Sequence, residues 1–134
     1  MKLIYSDPKT GQSASMELDD DRKAALLNRK IGDEIDASVF GLTGYKVKIT
    51  GGSDSSGFPL EPSMQGQLKR KTLRERKSKR TGERVYKRVT VRGNMISSDT
   101  NQVSVAIVEY GSKPVEELFP KKEKKEEPAQ KEAK

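Results

Sequence analysis

The supply of large apolar side chains limits the size of the core that this chain can build. Leu, Ile, Val and Phe together make up 27 of its 134 residues, about a fifth, which is close to the fraction below which highly charged chains are intrinsically disordered. A small domain also buries a smaller share of its surface than a large one. We therefore expect a single small folded domain of marginal stability, which a binding partner helps to order.

The residue types that are missing exclude most catalytic and metal-binding chemistry. The chain contains no His and no Cys, the side chains that proton transfer, nucleophilic catalysis and zinc binding most often use. The Gly-rich segment GGSDSSG lacks the Gly-Lys-Ser/Thr ending of a phosphate-binding P-loop. We predict that the protein is not an enzyme and that it uses no cofactor, no metal and no small-molecule substrate.

No segment of the sequence suits a membrane or an export signal. No apolar run approaches the roughly 20 residues of a membrane-spanning helix, and the amino-terminal MKLIYSDPKT turns polar too early for a signal peptide. The absence of Cys fits a reducing compartment. These features predict a cytoplasmic protein with no membrane partner.

The positive charge is concentrated in one internal segment. The whole chain has a net charge of +7. Twelve of its 27 basic residues but only two of its 20 acidic residues lie between Gln67 and Arg92, so this segment carries +10 and the remaining residues carry −3. The twelve basic residues are Lys69, Arg70, Lys71, Arg74, Arg76, Lys77, Lys79, Arg80, Arg84, Lys87, Arg88 and Arg92. Each Lys or Arg that meets a phosphate releases condensed counterions, which makes binding favourable and salt-dependent.

We predict that this segment binds RNA and that its twelve basic side chains are the contacts. A charge run more often only solubilises a surface, or acts as a targeting signal or an anionic-lipid patch. Here it lies inside the folded chain and continues onto a strand, and its like charges are too dense to be favourable without neutralisation. No recognition helix, zinc finger or heptad-bearing basic region is recognisable, so RNA is favoured over duplex DNA. The few aromatic residues do not form a paired stacking motif, which favours recognition of shape and backbone.

Alternating apolar residues predict a mainly β fold. KLIYS (2–6) and SASMEL (13–18) indicate a hairpin, because Ala14, Met16 and Leu18 alternate onto one face. Further strands are predicted over 34–40, 45–50, 85–92 and 102–110, the last of them central in the sheet because both of its faces are largely apolar. The expected architecture is a small antiparallel sheet or barrel-like domain over residues 1–118, with one short helix and a disordered Lys/Glu-rich tail over 119–134.

The helix is predicted over residues 20–29, after three consecutive aspartates. Asp19, Asp20 and Asp21 can accept hydrogen bonds from the free amides at a helix start and favour its positive dipole end. They could instead ligate a divalent cation, but no Gly or Glu at the spacing of a calcium loop follows them. We favour helix capping.

The segment GGSDSSGFP is predicted to be a tightly turned loop. It has three glycines and a proline in nine residues, a composition that suits backbone torsions other residues avoid. Its structural residues are Gly51, Gly52, Asp54, Gly57, Phe58 and Pro59. We expect Asp54 to bond nearby amides rather than to act in hydrolysis. Tyr45 and Phe58 are expected to anchor the core or the loop rather than to stack on bases.

Two motifs resemble a known ribosomal family. GGSDSSGFPLEPSMQG followed by KRTGERVYKRVTVRG is similar to the signature of the small-subunit ribosomal protein of archaea and eukaryotes called S-six-e. The matching residues are Gly51, Gly52, Asp54, Gly57, Phe58, Pro59, Arg80 to Arg84, and Val91 to Gly93. MKLIYSDPKTGQ and VSVAIVEYG also fit, so the resemblance covers roughly residues 1–118.

The resemblance implies a β-rich domain bound to small-subunit ribosomal RNA, with neighbouring ribosomal proteins as possible further partners. It makes the basic residues candidate RNA contacts and the glycine-rich loop a shaped element that supports them. Eukaryotic members extend into a long basic helix and a phosphorylated Ser-rich tail, whereas residues 119–134 contain no Ser, Thr or Tyr, so the chain resembles the archaeal type. The expected function is therefore structural, in the small ribosomal subunit. The alternative is a free-standing RNA chaperone or regulatory RNA-binding module.

Overall fold

The computed structural model describes residues 1–114 and 118–119, and it confirms the mainly β fold. In chain order the elements are β1 (Lys2–Ser6), β2 (Ser13–Glu17), α1 (Asp20–Ala24), β3 (Glu34–Asp36), a 3-10 helix (Ala37–Phe40), β4 (Lys46–Asp54), β5 (Lys69–Lys77), β6 (Arg84–Arg92) and β7 (Thr100–Glu109). Five strands form one sheet in the order β2-β1-β7-β4-β3, and β5 pairs with β6 in a separate two-stranded sheet. In the larger sheet β1 and β7 are parallel and the other three pairs are antiparallel.

The predicted β1–β2 hairpin and the central position of β7 are both confirmed. β7 lies between β1 and β4, and its inward residues Val103, Val105 and Ile107 are at most 3% exposed. On its other face Ser104 and Ala106 are only partly buried. Because β7 has a neighbour on each side, both of its backbone edges are hydrogen-bonded.

The core lies on one face of the five-stranded sheet. Tyr45, Val47 and Ile49 alternate inward and are at most 1% exposed. They belong to a single buried cluster that includes residues of β1 and β7 and, from outside the five-stranded sheet, Phe40 and Ile96. The alternation of buried apolar and exposed polar residues therefore decides which face of the sheet is inside.

The helix is shorter than the predicted range of 20–29. α1 ends at Ala24, and residues 25–28 form turns. Asn28 has a left-handed backbone, with φ 63°, and its amide donates to the Ile96 carbonyl at 3.1 Å. This tertiary hydrogen bond takes the chain away from the helical path, which a short isolated helix is too weak to resist.

The aspartates at the start of α1 do not cap it as predicted. Asp19 occupies the N-cap position but its side chain makes no capping hydrogen bond. Asp20 and Asp21 place negative charge in the first turn, and Asp20 also pairs with Lys23. Among residues 1–114 and 118–119, no group of three or more Asp, Glu, His or Cys side chains is arranged to hold a metal ion.

The strand predicted over 34–40 is strand in its first half only. β3 ends at Asp36, whose carboxylate accepts hydrogen bonds from the amide of Ser38 at 3.1 Å and from its hydroxyl at 2.7 Å. Such local side-chain bonds compete with strand pairing, and the chain turns into the 3-10 helix. Gly41 ends that helix in a left-handed conformation, with φ 87°.

The folded domain extends past the predicted boundary at residue 118. Phe119 is 6% exposed and its ring centroid lies 5.3 Å from that of Tyr5, whose hydroxyl donates to the Leu118 carbonyl at 2.6 Å. Assigning Phe119 to the tail was therefore wrong: it packs on the core. The rest of the predicted tail, residues 120–134, lies outside the described residues. None of the helices in the described ranges is long and apolar enough to cross a membrane.

Candidate nucleic-acid interface

Most of the basic segment forms a long β-hairpin. β5 and β6 pair antiparallel over nine residues each, without a register shift, starting from Lys69 opposite Arg92 at the base. Gly82, with φ 72°, closes the tip loop of residues 78–83 in a conformation that side chains disfavour. We call residues 69–92 the basic hairpin.

Only half of the basic hairpin was predicted. The strand over 85–92 is confirmed as β6, but β5 was missed. Eight of the nine β5 residues are exposed and Thr72 is partly buried, so β5 has no buried face and therefore no apolar alternation to reveal it. The signal that could have found it is the Thr-Gly of the tip loop, placed before a recognisable strand.

The base of the hairpin is attached to the glycine-rich segment. Burial along β6 rises from the exposed residues 84–88 to the buried Val91 and Arg92. The Arg92 amide donates to the Pro59 carbonyl at 2.9 Å, and the Arg92 carbonyl accepts from the Glu61 amide at 2.8 Å. The half of the hairpin near the tip is therefore exposed, while the base is fixed to the domain.

Asp54 ties both strands of the hairpin base to this segment. Its Oδ1 accepts hydrogen bonds from the amides of Ser56 at 2.9 Å and Phe58 at 2.8 Å, which confirms the predicted turn role. Its Oδ2 lies 2.9 Å from Nε of Arg92 and 3.5 Å from Nζ of Lys69, two residues that face each other across the strands. Lys69 Nζ also lies 5.2 Å from the centroid of the Phe58 ring. One carboxylate thus fixes the turn and the hairpin base together.

The pKa of the Asp54 carboxyl is lower than its ordinary value. Burial is the largest single influence and raises the pKa, but the hydrogen bonds from Phe58 and Arg92 and the charge of Lys69 together outweigh it. Asp54 is therefore an anion at neutral pH, as a buried guanidinium partner requires. Its side chain has no exposed surface, so a hydrolytic role for Asp54 finds no support.

Arg92 belongs to the interior of the domain rather than to the exposed cations. It is 7% exposed. Besides Asp54, its guanidinium donates to the Gln67 carbonyl at 3.1 Å, the Ser97 hydroxyl at 3.2 Å and the Asp99 carboxylate at 3.1 Å. Four of the five N–H groups of an arginine are thus used by the protein. We therefore remove Arg92 from the predicted RNA contacts. No sequence pattern indicates which carboxylate it contacts.

The other eleven predicted contacts are all exposed on the basic hairpin. Three of them have carboxylate partners, in the pairs Lys69–Asp54, Arg74–Glu61 and Arg84–Glu75. Within the part of the chain that the structure describes, the remaining eight have no ion-pair partner. These eight free cations are Arg70, Lys71, Arg76, Lys77, Lys79, Arg80, Lys87 and Arg88.

The regular pairing divides the hairpin into two faces, because residues opposite each other on paired strands share a face. One face, the Tyr86 face, has positions 69, 71, 73, 75 and 77 of β5 and 84, 86, 88, 90 and 92 of β6. The other, the Val89 face, has positions 70, 72, 74 and 76 of β5 and 85, 87, 89 and 91 of β6. Each face carries three of the eight free cations, and the tip loop carries the other two.

The glycine-rich segment that supports the hairpin is partly strand rather than wholly loop. β4 continues past the predicted end at residue 50 and includes Gly51, Gly52 and Asp54. A Cβ on Gly52 would lie 2.4 Å from the Gln102 carbonyl oxygen, whereas a Cβ on Gly51 would meet no atom within 4 Å. The turn itself requires Gly57, whose φ is 85°. Two of the three glycines are therefore needed for physical reasons, one by close packing and one by its torsion.

Comparison with known proteins identifies the family. The family model described as ribosomal protein S6e matches residues 1–120. The chain belongs to the ribosomal protein S6e family. A relative from Thermoplasma acidophilum named small ribosomal subunit protein eS6 is 45% identical over 115 residues, which cover 85% of this chain and 93% of the relative. Relatives of the same name are 45% identical in Methanocaldococcus jannaschii, covering 88% and 89%, and 41% identical in Methanocella arvoryzae, covering 93% and 89%.

The S6e match confirms the resemblance seen in the sequence. The matched range includes both the glycine-rich segment and the whole basic hairpin. It ends at residue 120, one residue after the buried Phe119. The S6e match therefore includes Phe119, which was predicted to belong to the tail.

Proposed function

We propose that this S6e chain is a structural constituent of the small ribosomal subunit and binds folded small-subunit ribosomal RNA through the basic hairpin. Its relatives are named as proteins of the small ribosomal subunit. The observation that carries the RNA-binding part is the set of eight free cations, which have no carboxylate partner within the described residues. Phosphate groups supply this counter-charge, and the release of condensed counterions drives the association.

The placement of the free cations supports binding between RNA segments rather than on one flat surface. Lys71, Lys77 and Arg88 lie on the Tyr86 face, Arg70, Arg76 and Lys87 lie on the Val89 face, and Lys79 and Arg80 lie in the tip loop. A ribbon with cations on both faces and at its tip can contact phosphates on two sides at once. Four of the eight are arginines, whose planar guanidinium groups can bridge phosphate oxygens.

The anchored base supports the same proposal. The buried Asp54–Arg92 pair and the backbone hydrogen bonds at Pro59 and Glu61 hold the hairpin base before any partner binds. A preorganised element loses less conformational entropy on binding than a mobile one. In this proposal the protein acts in the cytoplasm as part of the ribosome, contacts neighbouring ribosomal proteins, and has no catalytic role.

A filter-binding salt titration of the full chain with small-subunit ribosomal RNA tests the proposal. Each phosphate contact contributes roughly −0.7 to −0.9 to the slope of log affinity against log salt, so eight contacts predict a slope of about −6 to −7. Replacing the two tip cations, as Lys79→Gln with Arg80→Gln, should make this slope shallower by about 1.5 to 2.

The matched control removes the same charge from the sheet. Lys46→Gln with Lys48→Gln changes two exposed lysines of β4, outside the hairpin, and should leave the slope unchanged. A flat titration of the unaltered chain contradicts RNA binding by charge. Equal effects of the tip and sheet variants would mean that net charge matters and the hairpin does not.

Sedimentation of cell extract tests the assembled state. Co-migration of the chain with the small subunit at high salt supports a structural constituent. A pool that stays at the top of the gradient supports a free-standing RNA chaperone or regulatory module and contradicts the proposal.

A further inference from the structure

Two large apolar side chains are exposed in the middle of the basic hairpin. Tyr86 is 63% exposed and Leu73 is 65% exposed. Both lie on the Tyr86 face, in diagonal positions, because Leu73 pairs with Arg88 and Tyr86 pairs with Glu75. Diagonal neighbours on paired strands are close enough for an aromatic side chain to reach. They form one apolar patch on a strongly charged surface.

Stabilisation of the hairpin does not account for this patch. A cross-strand aromatic–aliphatic pair contributes to a hairpin by burying apolar surface, yet both side chains leave nearly two thirds of their surface exposed. Thr72, Val89 and Val91, which are buried or partly buried, lie on the opposite face, and on the Tyr86 face only Thr90, near the base, has partly buried apolar surface. The apolar patch formed by Tyr86 and Leu73 therefore remains available to a partner.

We propose that Tyr86, supported at its side by Leu73, is a stacking platform for an unstacked base of the RNA, such as a bulged or looped-out nucleotide. The proposal rests on the proposed function and adds to it the kind of RNA element that the hairpin recognises. It also adds a base contact to the expectation, drawn from the lack of a paired aromatic motif, that recognition is by shape and backbone. Proteins commonly bind irregular RNA by stacking splayed-out bases on exposed aromatic rings.

The charges around Tyr86 favour a nucleotide over an apolar protein surface. Lys71, Lys77, Arg84 and Arg88 share its face. Glu75, the acidic residue of the Tyr86 face between positions 69 and 92, lies directly opposite Tyr86, but its carboxylate is 3.1 Å from the guanidinium of Arg84, which neutralises it. A base on Tyr86 would carry its phosphates within reach of these cations, whereas an apolar protein surface would have to desolvate them.

The ring of Tyr86 is also uncovered. The cation–π contacts among the described residues are at Tyr110 and Phe58, so no Lys or Arg of the described chain covers a face of the Tyr86 ring. A solvent-exposed aromatic face bordered by cations is the arrangement by which single-stranded nucleic acids are bound, through stacking combined with backbone charge.

The experiment compares two RNA duplexes that differ by one bulged nucleotide, with 2-aminopurine at the bulge, binding to the full chain. Stacking of the bulged base on an aromatic ring changes its fluorescence and strengthens binding by about 5- to 150-fold per base. We expect the unaltered chain to prefer the bulged duplex by a factor in this range. Tyr86→Ala should abolish both the preference and the fluorescence change, and Tyr86→Phe should keep both.

Val85→Ala is the matched control. Val85 is the neighbour of Tyr86 on the same strand, is 43% exposed and lies on the opposite face, so its truncation should leave the preference intact. Equal binding of both duplexes by the unaltered chain, or a preference that survives Tyr86→Ala, overturns the stacking platform and leaves the patch to a protein partner. Failure to bind either duplex would instead contradict the proposed function itself.

Discussion

Replacing Asp54 with asparagine tests whether one buried carboxylate holds the base of the basic hairpin. Asp54→Asn keeps the shape of the side chain but removes its charge. Its side chain has no exposed surface and that of Arg92 is 9% exposed, so the substitution leaves a buried guanidinium without its closest anion. Breaking a buried ion pair by removing one partner costs roughly 3–5 kcal/mol.

We expect a value at the lower end of this range, about 3 kcal/mol, because Asp99 still accepts a hydrogen bond from Arg92 after the change. For a domain of this size, such a loss lowers the melting temperature by roughly 10 °C. Urea unfolding followed by circular dichroism gives the free energy of unfolding directly, provided that the slope with urea is unchanged.

Asp99→Asn is the matched control, because it makes the same chemical change at another carboxylate that contacts Arg92. The Asp99 side chain is 65% exposed, and exposed ion pairs contribute about 0–1 kcal/mol. The two variants should therefore differ by about 2 kcal/mol or more. Equal losses, or an Asp54→Asn loss below about 1 kcal/mol, would refute the buried anchor.

The same substitution predicts a pH dependence. Because the pKa of Asp54 is lower in the folded protein than its ordinary value, the carboxylate stabilises the fold above that ordinary value. The contribution is lost as the pH falls through the lowered folded value. The difference in stability between the unaltered chain and Asp54→Asn should therefore be constant near neutral pH and shrink in acid below about pH 4. A difference that stays constant down to pH 2 would contradict the assignment.

Three further predictions concern packing and titration elsewhere in the domain. Gly52→Ala should destabilise the fold by roughly 1–3 kcal/mol, because its Cβ would lie 2.4 Å from a backbone carbonyl oxygen. The adjacent Gly51→Ala has open space around its Cβ and should be nearly neutral. Equal melting temperatures of the two variants would argue against the close approach. Phe119→Ala should lower the free energy of unfolding by about 3 kcal/mol, since the ring is buried. An unchanged urea midpoint would contradict packing of Phe119 on the core. The hydrogen bond to Asp7 raises the pKa of Tyr110 to about 12. This contact therefore stabilises the fold below pH 10, and the stabilisation is lost as the pH rises towards 12. Tyr110→Phe should remove one late-ionising phenol from an absorbance titration, and an unaltered titration would disprove the contact.

The strands that build the core were predictable because burial imprints a period of two on the sequence. β2 and the first half of β4 alternate apolar and polar residues, and burial alternates along β1 and β7. The stretch around Val105, which is apolar on both faces, indicated the central strand. β5 could not be found in this way, since its partner is another exposed strand and both of its faces meet solvent. Its position in the fold depends on pairing with β6, which no local pattern encodes.

The candidate site was predictable in its charge and not in its contacts. Eleven of the twelve basic residues are exposed on the hairpin, as a dense run of cations requires. Arg92 has the same residue type and the same strand as Arg88, but it is buried against Asp54, 38 residues earlier in the chain. Asp54 and Arg92 are brought together by the turn after β4 and by the hairpin. Both are tertiary features.

Short local elements were the least predictable part. The Asp36 side chain ended β3 by bonding its own neighbour, Ser38, and the bond from Asn28 to Ile96 ended α1 early. In both cases one or two hydrogen bonds decide between alternatives of nearly equal propensity. Phe119 was missed because the charged residues that follow it hid one buried ring.

Directed hydroxyl-radical cleavage from the hairpin tip tests the central claim, that the basic hairpin lies against ribosomal RNA, most directly. The chain has no Cys, so Thr81→Cys, in the tip loop, allows an iron chelate to be attached at one position in assembled small subunits. Gln12→Cys, in the exposed turn between β1 and β2, is the control. We predict strong cleavage of the small-subunit RNA from the tip and weaker cleavage from the control. Cleavage from position 12 but none from position 81 would contradict the account.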